Sequence, residues 1–310
     1  MIITVTPNTG LDRVIFIKDF HWGKTIRAYD SALGMGGKAT DVSFVLGELG
    51  EPNIATGFAA GETGQRMVQM LQQHTATQCD FVWVDGETRV NYILVDTAQG
   101  VQSTITVAGL QVSKEHVAEL KQCFTRLLPN AKCVVIGGSL PQGVPLDLYP
   151  DLIAQARQAG LPVILDASGE VLRCGAEAIP TVLKPNRDEL EILVGHPLRS
   201  DEDILGAARE LVRQGIALVV ATAGKRGLWA VSEAETLFAP PLPIEPVNTA
   251  GAGDALVAGI ARGLARGWSW REGLRWGIAA AAAVCLTPGT AVCHRADVER
   301  LLGEVQIRNV

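Results

Sequence analysis

Charged and aromatic residues are scarce in this chain: Asp, Glu, Lys and Arg make up 19% of its 310 residues, and Phe, Trp and Tyr only 5%. The formal net charge is −6, so neither a nucleic acid nor an anionic membrane is an expected partner. The longest apolar run, Ile278 to Leu286, is too short to cross a bilayer. The first residues lack the basic start and apolar core of a signal peptide. With 47% apolar residues, the chain is expected to fold into a well-packed globule.

Cysteines are few and show no pattern. The six lie at positions 79, 123, 133, 174, 285 and 293, and none belongs to a C-x-x-C pair or has a histidine at zinc-ligand spacing. Cys133 and Cys285 lie within apolar runs and are expected to be small core residues. We therefore expect no zinc site, and a reducing, cytoplasmic compartment.

Short β-branched runs alternate with longer helix-like segments, which is typical of an α/β fold with a mostly parallel sheet. The predicted strands are Ile2–Thr6, Cys133–Ile136, Val163–Leu165, Thr181–Leu183 and Ala217–Ala221. The predicted helices are Lys114–Leu127, Leu146–Ala159, Arg187–Val194 and Asp201–Gln214.

Four further strand-like segments have no crossover helices between them: Leu11–Ile17, Thr25–Ser31, Arg89–Asp96 and Gln102–Val107. We interpret them as a small, mostly antiparallel sheet built from two separate parts of the chain, which would serve as a lid or a dimer surface. Edge strands of the main sheet would fit the pattern equally well.

Polar or glycine-rich residues follow each predicted core strand. In an open parallel sheet these strand ends share one edge, where ligands bind. The segments are Asn8, Gly137-Gly138-Ser139-Leu140-Pro141, Asp166-Ala167-Ser168-Gly169, Lys184-Pro185-Asn186 and Thr222-Ala223-Gly224.

The run Gly251-Ala252-Gly253-Asp254 precedes an apolar helix-like segment and is the most informative motif. Glycines allow backbone N–H groups to surround an anion, and a helix N-terminus attracts one. Asp254 adds a carboxylate where the fold needs no further negative charge. The combination indicates phosphoryl transfer, with an anion hole and a carboxylate that takes a hydroxyl proton. The helix N-terminus is expected to make Asp254 a weak base.

Three other features carry a weaker signal. Asn186 and Glu189 are spaced to hold a hydrated Mg²⁺, although an N-cap with its capping box explains the spacing as well and is favoured by spacing alone. Gly34-Met35-Gly36-Gly37-Lys38 is a flexible turn before a helix. Lys24, Arg27 and Arg89 are the basic residues that could hold an anionic substrate.

In their order along the chain, these motifs resemble the ribokinase-like, or PfkB-type, carbohydrate kinases, and most of all their phosphosugar branch, which contains 1-phosphofructokinase, tagatose-6-phosphate kinase and the minor bacterial 6-phosphofructokinase. The similarity runs almost end to end. It comprises Asn8-x-x-x-Asp12, Gly36-Gly37-Lys38, Thr88-Arg89-x-Asn91, Gly138-Ser139-Leu140-Pro141, Asp166-x-Ser168-Gly169, Lys184-Pro185-Asn186-x-x-Glu189-Leu190 and Gly251-Ala252-Gly253-Asp254.

The resemblance implies a three-layer α/β/α core with a small β-sheet lid. Residues 1–310 would form a single kinase domain, with the lid inserted from about 11–33 and 86–107. The implied substrates are ATP and a ketohexose phosphate, namely fructose 1-phosphate, tagatose 6-phosphate or fructose 6-phosphate. The implied cofactors are Mg²⁺ and a monovalent cation such as K⁺, bound around Asn248 and Thr287-Pro288-Gly289. A homodimer formed through the lid is also implied.

The resemblance also assigns roles to residues. Asp254 would be the catalytic base, and the backbone amides of Ala252, Gly253 and Asp254, which follow Gly251, would form the anion hole. Asn186 and Glu189 would bind Mg²⁺ through water. The ATP-binding set would be Lys184, Asn186, Thr222, Gly224 and Gly227, and the acceptor-binding set Asp12, Lys24, Arg27, Gly36, Gly37, Asp41, Arg89 and Ser139.

Asp41 is the main departure, since members of the family usually carry Asn there. An amide can donate to a sugar hydroxyl, whereas an ionised carboxylate can only accept, so the accepted sugar stays open. The alternative functions are a kinase of an unphosphorylated sugar or nucleoside, against which the three basic residues argue, and a sugar-phosphate sensor without catalysis, against which the intact Asp254 argues.

Overall fold

The computed structural model describes residues 1–310, which form two separate sheets and ten α-helices. The strands are β1 Ile2–Thr6, β2 Gly10–Ile17, β3 Asp30–Gly36, β4 Asn53–Ala59, β5 Thr77–Cys79, β6 Val82–Trp83, β7 Arg89–Asp96, β8 Val101–Ile105, β9 Cys133–Gly137, β10 Val163–Asp166, β11 Val182–Leu183, β12 Leu218–Thr222, β13 Leu228–Ser232, β14 Thr236–Ala239 and β15 Arg308–Asn309. The helices are α1 Lys38–Glu48, α2 Gly61–Leu71, α3 Lys114–Leu127, α4 Leu148–Gln158, α5 Gly169–Glu177, α6 Arg187–Val194, α7 Asp201–Arg213, α8 Ala252–Arg266, α9 Trp270–Cys285 and α10 Arg295–Leu301.

The large sheet has the strand order β15-β14-β13-β12-β11-β10-β9-β1-β4-β5, and β6 pairs with the far end of β4. Pairing is parallel from β12 through β5 and antiparallel from β12 to β15. In register, Ile2 of β1 lies beside Cys133 and Asn53 of the flanking strands. The parallel strands therefore end at one edge of the sheet.

Two apolar clusters cover the faces of this sheet, in agreement with the predicted three layers. One cluster of 41 buried residues joins α1, α2, α8, α9 and α10 to one face of the sheet, and another of 38 joins α3 to α7 to the other face. Strand β1 is buried throughout, and its Ile2 and Ile3 belong to different clusters. Successive side chains of a strand point to opposite faces, so a continuous apolar run suits a strand covered on both sides.

The small sheet, which we call the lid, has the order β3-β2-β7-β8. Its outer pairs are antiparallel and its central pair, β2 with β7, is parallel. The predicted separate sheet is therefore confirmed, and the edge-strand alternative is wrong. The lid buries only a small apolar cluster of its own: Val14, Phe16, Ile93 and Val95.

One lid strand is misplaced in the sequence prediction. The segment predicted at Thr25–Ser31 has its strand at Asp30–Gly36, so the first lid segment extends beyond residue 33. The true strand contains Gly34 and Gly36, which favour a turn when only the sequence is considered. They are needed because a Cβ at Gly34 would lie 2.7 Å from the Thr290 carbonyl oxygen, and one at Gly36 would lie 2.7 Å from the Asp12 carboxylate.

The predicted core strands and helices are found with shifts of one or two residues at their ends. Cys133 and Cys285 are buried, as predicted. No helix combines the length and the apolar character that crossing a membrane requires.

Candidate active site

The glycine run forms the N-terminus of α8 at the strand-end edge. Gly251 is the N-cap with φ 83°, and a Cβ there would lie 2.5 Å from the Ala291 nitrogen, so only glycine fits. The N–H groups of Gly253 and Asp254 donate to no acceptor in the protein, while Ala252 N–H reaches the Thr249 carbonyl at 3.4 Å. Free N–H groups at a helix N-terminus form a site for an anion.

Asp254 is the third residue of α8 and is partly buried. Burial and then the nearby Asp166 carboxylate raise the pKa of Asp254 to about 7, against the opposing effect of Lys38 and Lys184. Burial and the neighbouring carboxylate thus act in the direction opposite to the helix N-terminus, which by itself favours the ionised form and makes Asp254 a weak base. A carboxyl group with a pKa near 7 is well suited to accept a proton from a hydroxyl group.

A buried cluster of charges lies beside this helix end. Asp166, the last residue of β10, is 2.5 Å from Nζ of Lys38 and 3.1 Å from Nζ of Lys184. Burial alone would raise the pKa of Asp166, but the two lysines hold it below its usual range. Lys184 Nζ is 3.4 Å from the position of a Cβ on Gly253, so its positive charge lies against the start of α8. The ammonium group of Lys184 thus lies beside the free N–H groups, and that of Lys38 pairs with the same Asp166.

Lys38 and Asp166 are the residues whose roles the sequence analysis missed. Both belong to the quoted motifs, but they are 128 positions apart in the chain. Lys38 Nζ also lies 3.5 Å from Glu189. Burial would lower the pKa of Lys38, but Asp166, Glu189 and Asp254 raise it above its ordinary value. Their placement in the sequence could have indicated a role in the site, because Lys38 follows a glycine turn and Asp166 ends a strand.

The predicted ATP-binding residues lie at the adjacent ends of β11 and β12. Asn186 forms a bridge with Thr222, whose N–H donates to the Pro185 carbonyl at 3.0 Å. Gly224 and Gly227 have φ values of 55° and 94°, and they shape the loop that follows. Asn186 and Gly224 are exposed, and Lys184 is buried at the inner end. The structure therefore brings Lys184, Asn186, Thr222, Gly224 and Gly227 together on one surface beside the α8 N-terminus. We call this surface the ledge.

Asn186 and Glu189 form a capping box on α6. Asn186 Oδ1 accepts from Glu189 N–H at 2.8 Å, and Glu189 Oε2 accepts from Asn186 N–H at 2.9 Å. The structural interpretation of this spacing is thus correct. Each oxygen keeps a free lone pair, and oxygen donors that leave room for water suit Mg²⁺. The pair fits a hydrated Mg²⁺ in addition to its capping role.

The predicted acceptor-binding residues Asp12 and Asp41 are close to Asp254. Asp12 accepts a hydrogen bond from Asn91 at 2.9 Å and lies against Gly36. Asp41 is in the first turn of α1, which begins after Gly37 (φ 94°), and is 4% exposed. Burial, followed by Asp254 and Asp12, raises the pKa of Asp41 well above its usual value. Three carboxyl groups therefore meet where the acceptor is expected.

Arg89, at the start of β7, lies where the lid joins the core. It donates to the carbonyls of Asn8 and Val107, each at 3.3 Å, and its buried Nε has no partner. Ser139 accepts from the Asn8 side chain at 2.9 Å. Lys24 and Arg27 are exposed on the loop between β2 and β3, and the structure places neither in an ion pair. Arg89 and Ser139 thus lie near each other through Asn8, whereas Lys24 and Arg27 stay outside the cluster.

The loop 287–291 contacts both strand β3 of the lid and the N-terminus of α8. Buried Asn248 donates to the Pro288 carbonyl at 3.2 Å, and Thr287 Oγ1 donates to the Val292 carbonyl at 2.7 Å. Met35 N–H of β3 donates to the Thr290 carbonyl at 3.2 Å. The same loop therefore touches the inner end of the lid strand and the N-cap of α8.

The chain matches the pfkB family carbohydrate kinase model over residues 12–297. It is 33% identical to a 1-phosphofructokinase of Haemophilus influenzae over 99% of this chain and 97% of that protein. A solved structure of a possible 1-phosphofructokinase from Thermotoga maritima has a TM-score of 0.90 at 27% identity, covering 100% of this chain and 99% of that one. Phosphofructokinase-2 from Escherichia coli, solved in complex with potassium, has a TM-score of 0.87 at 28% identity and 98% coverage of both chains. A tetrameric inhibited form of that enzyme has a similar score.

Proposed function

Because the chain belongs to the pfkB family of carbohydrate kinases, we propose that it transfers the γ-phosphoryl group of ATP to a ketohexose phosphate and releases a sugar bisphosphate. The relatives named 1-phosphofructokinase favour fructose 1-phosphate as the acceptor. Tagatose 6-phosphate and fructose 6-phosphate are the other candidates, and one relative is named as a 6-phosphofructokinase isozyme.

The observation that carries the proposal is the position of Asp254 beside two free N–H groups at the start of α8. The acceptor hydroxyl attacks the γ-phosphorus, the bond from that phosphorus to the bridging oxygen breaks, and ADP leaves. The hydroxyl proton passes to Asp254. The N–H groups of Gly253 and Asp254, with the ammonium groups of Lys184 and Lys38, stabilise the charge on the phosphoryl oxygens.

The nucleotide would lie along the ledge formed by Lys184, Asn186, Thr222, Gly224 and Gly227. Lys184 is fixed by Asp166 at 3.1 Å, so its charge is positioned before the nucleotide arrives. Asn186 and Glu189 would hold Mg²⁺ through water. When bound there, Mg²⁺ neutralises part of the charge on the nucleotide phosphates.

The acceptor would lie between the lid and the core. Asp12, Asp41 and the turn at Gly36 and Gly37 would contact the sugar hydroxyls. Arg89, whose Nε lacks a partner, and Ser139 would contact the phosphate already on the sugar. The exposed Lys24 and Arg27 would reach that phosphate only after movement of their loop or from a second subunit.

A substrate panel tests the proposal. With ATP and Mg²⁺, we expect kcat/KM for fructose 1-phosphate, tagatose 6-phosphate or fructose 6-phosphate to exceed that for fructose or ribose by about 10²-fold or more, since buried polar groups that recognise a substrate group reject analogues without it. Faster turnover of a neutral sugar would favour the kinase of unphosphorylated substrates. Binding of a phosphosugar without any turnover would favour the sensor.

We also propose a monovalent cation site at the loop 287–291. Backbone carbonyls of Pro288 and Val292 lie around the buried side chains of Asn248 and Thr287. The loop contacts the N-cap of α8, so a cation there would act on the anion hole. We expect activity in KCl to exceed activity in choline chloride at equal ionic strength, and equal activities would contradict the site.

The lid is proposed to pair with a second copy of this chain. Large apolar side chains are exposed on its strands and on the loop between β2 and β3: Ile105 (51%) on β8, and Trp22 (89%) and Tyr29 (54%) on the loop. Exposed apolar surface of this kind marks an interaction site. Sedimentation should give a dimer that Ile105→Lys dissociates, whereas Ile192→Lys on α6, also half exposed, should not. A monomer in both the parent protein and the variants would contradict the proposal.

We place the protein in the cytoplasm. All six cysteines are free, and four of them are buried. Burial raises the pKa of Cys133 to about 12, which keeps its thiol protonated. Such cysteines suit a reducing compartment.

A further inference from the structure

Asp41 has surroundings that are unusual for a carboxylate. Its side chain receives no hydrogen bond from any N–H or O–H group, and its Oδ1 is fully buried without a partner. Its carboxyl group lies within hydrogen-bonding reach of the Asp254 carboxyl group, and Asp12 is also close. A buried anion without a donor, facing other anions, is strongly unfavourable.

The nearby positive charges are already engaged. Lys38, on the same helix as Asp41, has its Nζ 2.5 Å from Asp166 and 3.5 Å from Glu189. Lys184 on the strand side pairs with Asp166 at 3.1 Å. On the lid, Asp12 adds negative charge, and Arg89 donates to the Asn8 and Val107 carbonyls. Both lysines are thus shared with Asp166, and burial outweighs their favourable effect on Asp41 and Asp254.

We propose that Asp41 and Asp254 hold one proton between them in the free enzyme, with Asp41 as a neutral carboxylic acid whose O–H donates to the Asp254 carboxylate. Two carboxyl groups in contact share a proton in this way, and the pair then titrates in two separate steps. The N-terminal turns of α1 and α8 hold the two partners in place.

The consequence for the acceptor rests on the proposed function. When the sugar enters, the O–H of Asp41 turns from Asp254 to a sugar oxygen, and Asp254 accepts a hydrogen bond from the reacting hydroxyl group. Asp41 keeps its proton through phosphoryl transfer. The proton released by the hydroxyl goes to Asp254 and then to solvent. Asp41 thus contributes a hydrogen-bond donor to acceptor recognition, although an ionised Asp can only accept.

The free enzyme provides the first test, without any substrate. With ¹³C-carboxyl-labelled aspartate, NMR titration should show one carboxyl resonance pair that titrates in two steps, the upper one well above the usual value of about 4. In Asp41→Asn and in Asp254→Asn, the remaining aspartate should titrate in a single step, at a pH between the two steps of the parent protein. Asp85→Asn, at an exposed position outside the lid strands, should leave both steps unchanged. Titration of every aspartate below about pH 5 in the parent protein would overturn the proposal.

Kinetics provide the second test. The parent enzyme should lose kcat/KM at alkaline pH as the pair gives up its last proton. Asp41→Asn should keep activity at pH 7 within about tenfold and lose this alkaline decline, because an amide donates at every pH. Asp41→Ala should raise KM for the acceptor by roughly tenfold or more, the scale of one hydrogen bond to a substrate, and leave KM for ATP unchanged.

Two results would contradict the role in acceptor binding: an Asp41→Asn variant as impaired as Asp41→Ala, or one with an unchanged alkaline decline. The two tests also separate the claims. A two-step titration in a protein that phosphorylates no sugar phosphate would refute the proposed function alone. An active kinase without the two-step titration would refute the shared proton alone.

Discussion

The core and the lid differ in how completely they bury their own apolar surface. The core sheet has clusters of 41 and 38 buried residues on its faces, whereas the lid has a cluster of four and leaves Tyr92 and Ile105 exposed. The core also holds the paired charges of Asp166, Lys184 and Lys38. This difference suggests that phosphoryl transfer depends on the core, and that acceptor choice and assembly depend on the lid.

The largest expected effect is a loss of turnover caused by a substitution in the core. Asp254→Asn removes the group proposed to take the hydroxyl proton, so turnover should fall by about 10²-fold or more while ATP binding survives. Steady-state kinetics and nucleotide titration measure the two quantities, and Asp85→Asn is the matched control. Unchanged turnover in Asp254→Asn would remove this residue from the mechanism.

The next prediction compares the stability lost when a buried ion pair is broken with that lost when an exposed ion pair is broken. Lys184→Met leaves the buried Asp166 with one cation fewer and should reduce the free energy of unfolding by about 3 kcal/mol. Lys121→Met breaks a pair with Asp151 whose side chains are 31% and 45% exposed, and should cost less than about 1 kcal/mol. Urea unfolding measures both variants. Equal losses would show that the buried cluster has no special role in stability.

A smaller effect is expected at the inner end of the lid. Arg89→Met should raise KM for the phosphosugar by roughly tenfold and leave kcat and KM for ATP nearly unchanged, because a lost charge-assisted hydrogen bond weakens binding by about that factor. Arg13→Met, also on the lid, is the control and should behave like the parent enzyme. A drop in kcat with unchanged KM would assign Arg89 to the chemistry instead.

The last effect concerns the pH dependence of stability. The folded-state pKa of Asp254 is raised to about 7, so from about pH 4 upward to that value the folded protein binds more protons than the unfolded chain. Stability therefore falls as pH rises through this window. Asp254→Asn should be more stable than the parent protein at about pH 8, and the gain should shrink towards pH 4. Urea unfolding across pH checks the sign, and a gain that grows on acidification would contradict it.

Sequence reasoning located the core more successfully than the lid. The strand ends carry polar residues close to buried β-branched runs, so their shared edge follows from the parallel topology. The strand Asp30–Gly36 is misplaced in the sequence prediction because its glycines are required by close contacts with Thr290 and Asp12. Both residues are distant from this strand in the chain. Strand β4, Asn53–Ala59, was not predicted because its glycine and polar residues obscure the β-branched pattern.

The electrostatics of the site could not be predicted from sequence. Motif order indicated Asp254 and the capping pair of Asn186 and Glu189. It did not indicate that Lys38 would pair with Asp166, or that Asp41 would lie beside Asp254. These contacts depend on how the N-terminal turns of α1 and α8 pack together, and burial then changes the pKa of each group. Periodicity and spacing contain no information on this packing or on these changes in pKa.

The most direct test of the central claim is a crystal structure of the protein with a non-hydrolysable ATP analogue and fructose 1-phosphate. The account predicts one sugar hydroxyl within about 2.6–3.2 Å of the Asp254 carboxylate, in line with the γ-phosphorus, and the terminal phosphate at the N–H groups of Gly253 and Asp254. A sugar whose hydroxyls all lie away from Asp254, with that carboxylate still bonded to Asp41, would contradict it.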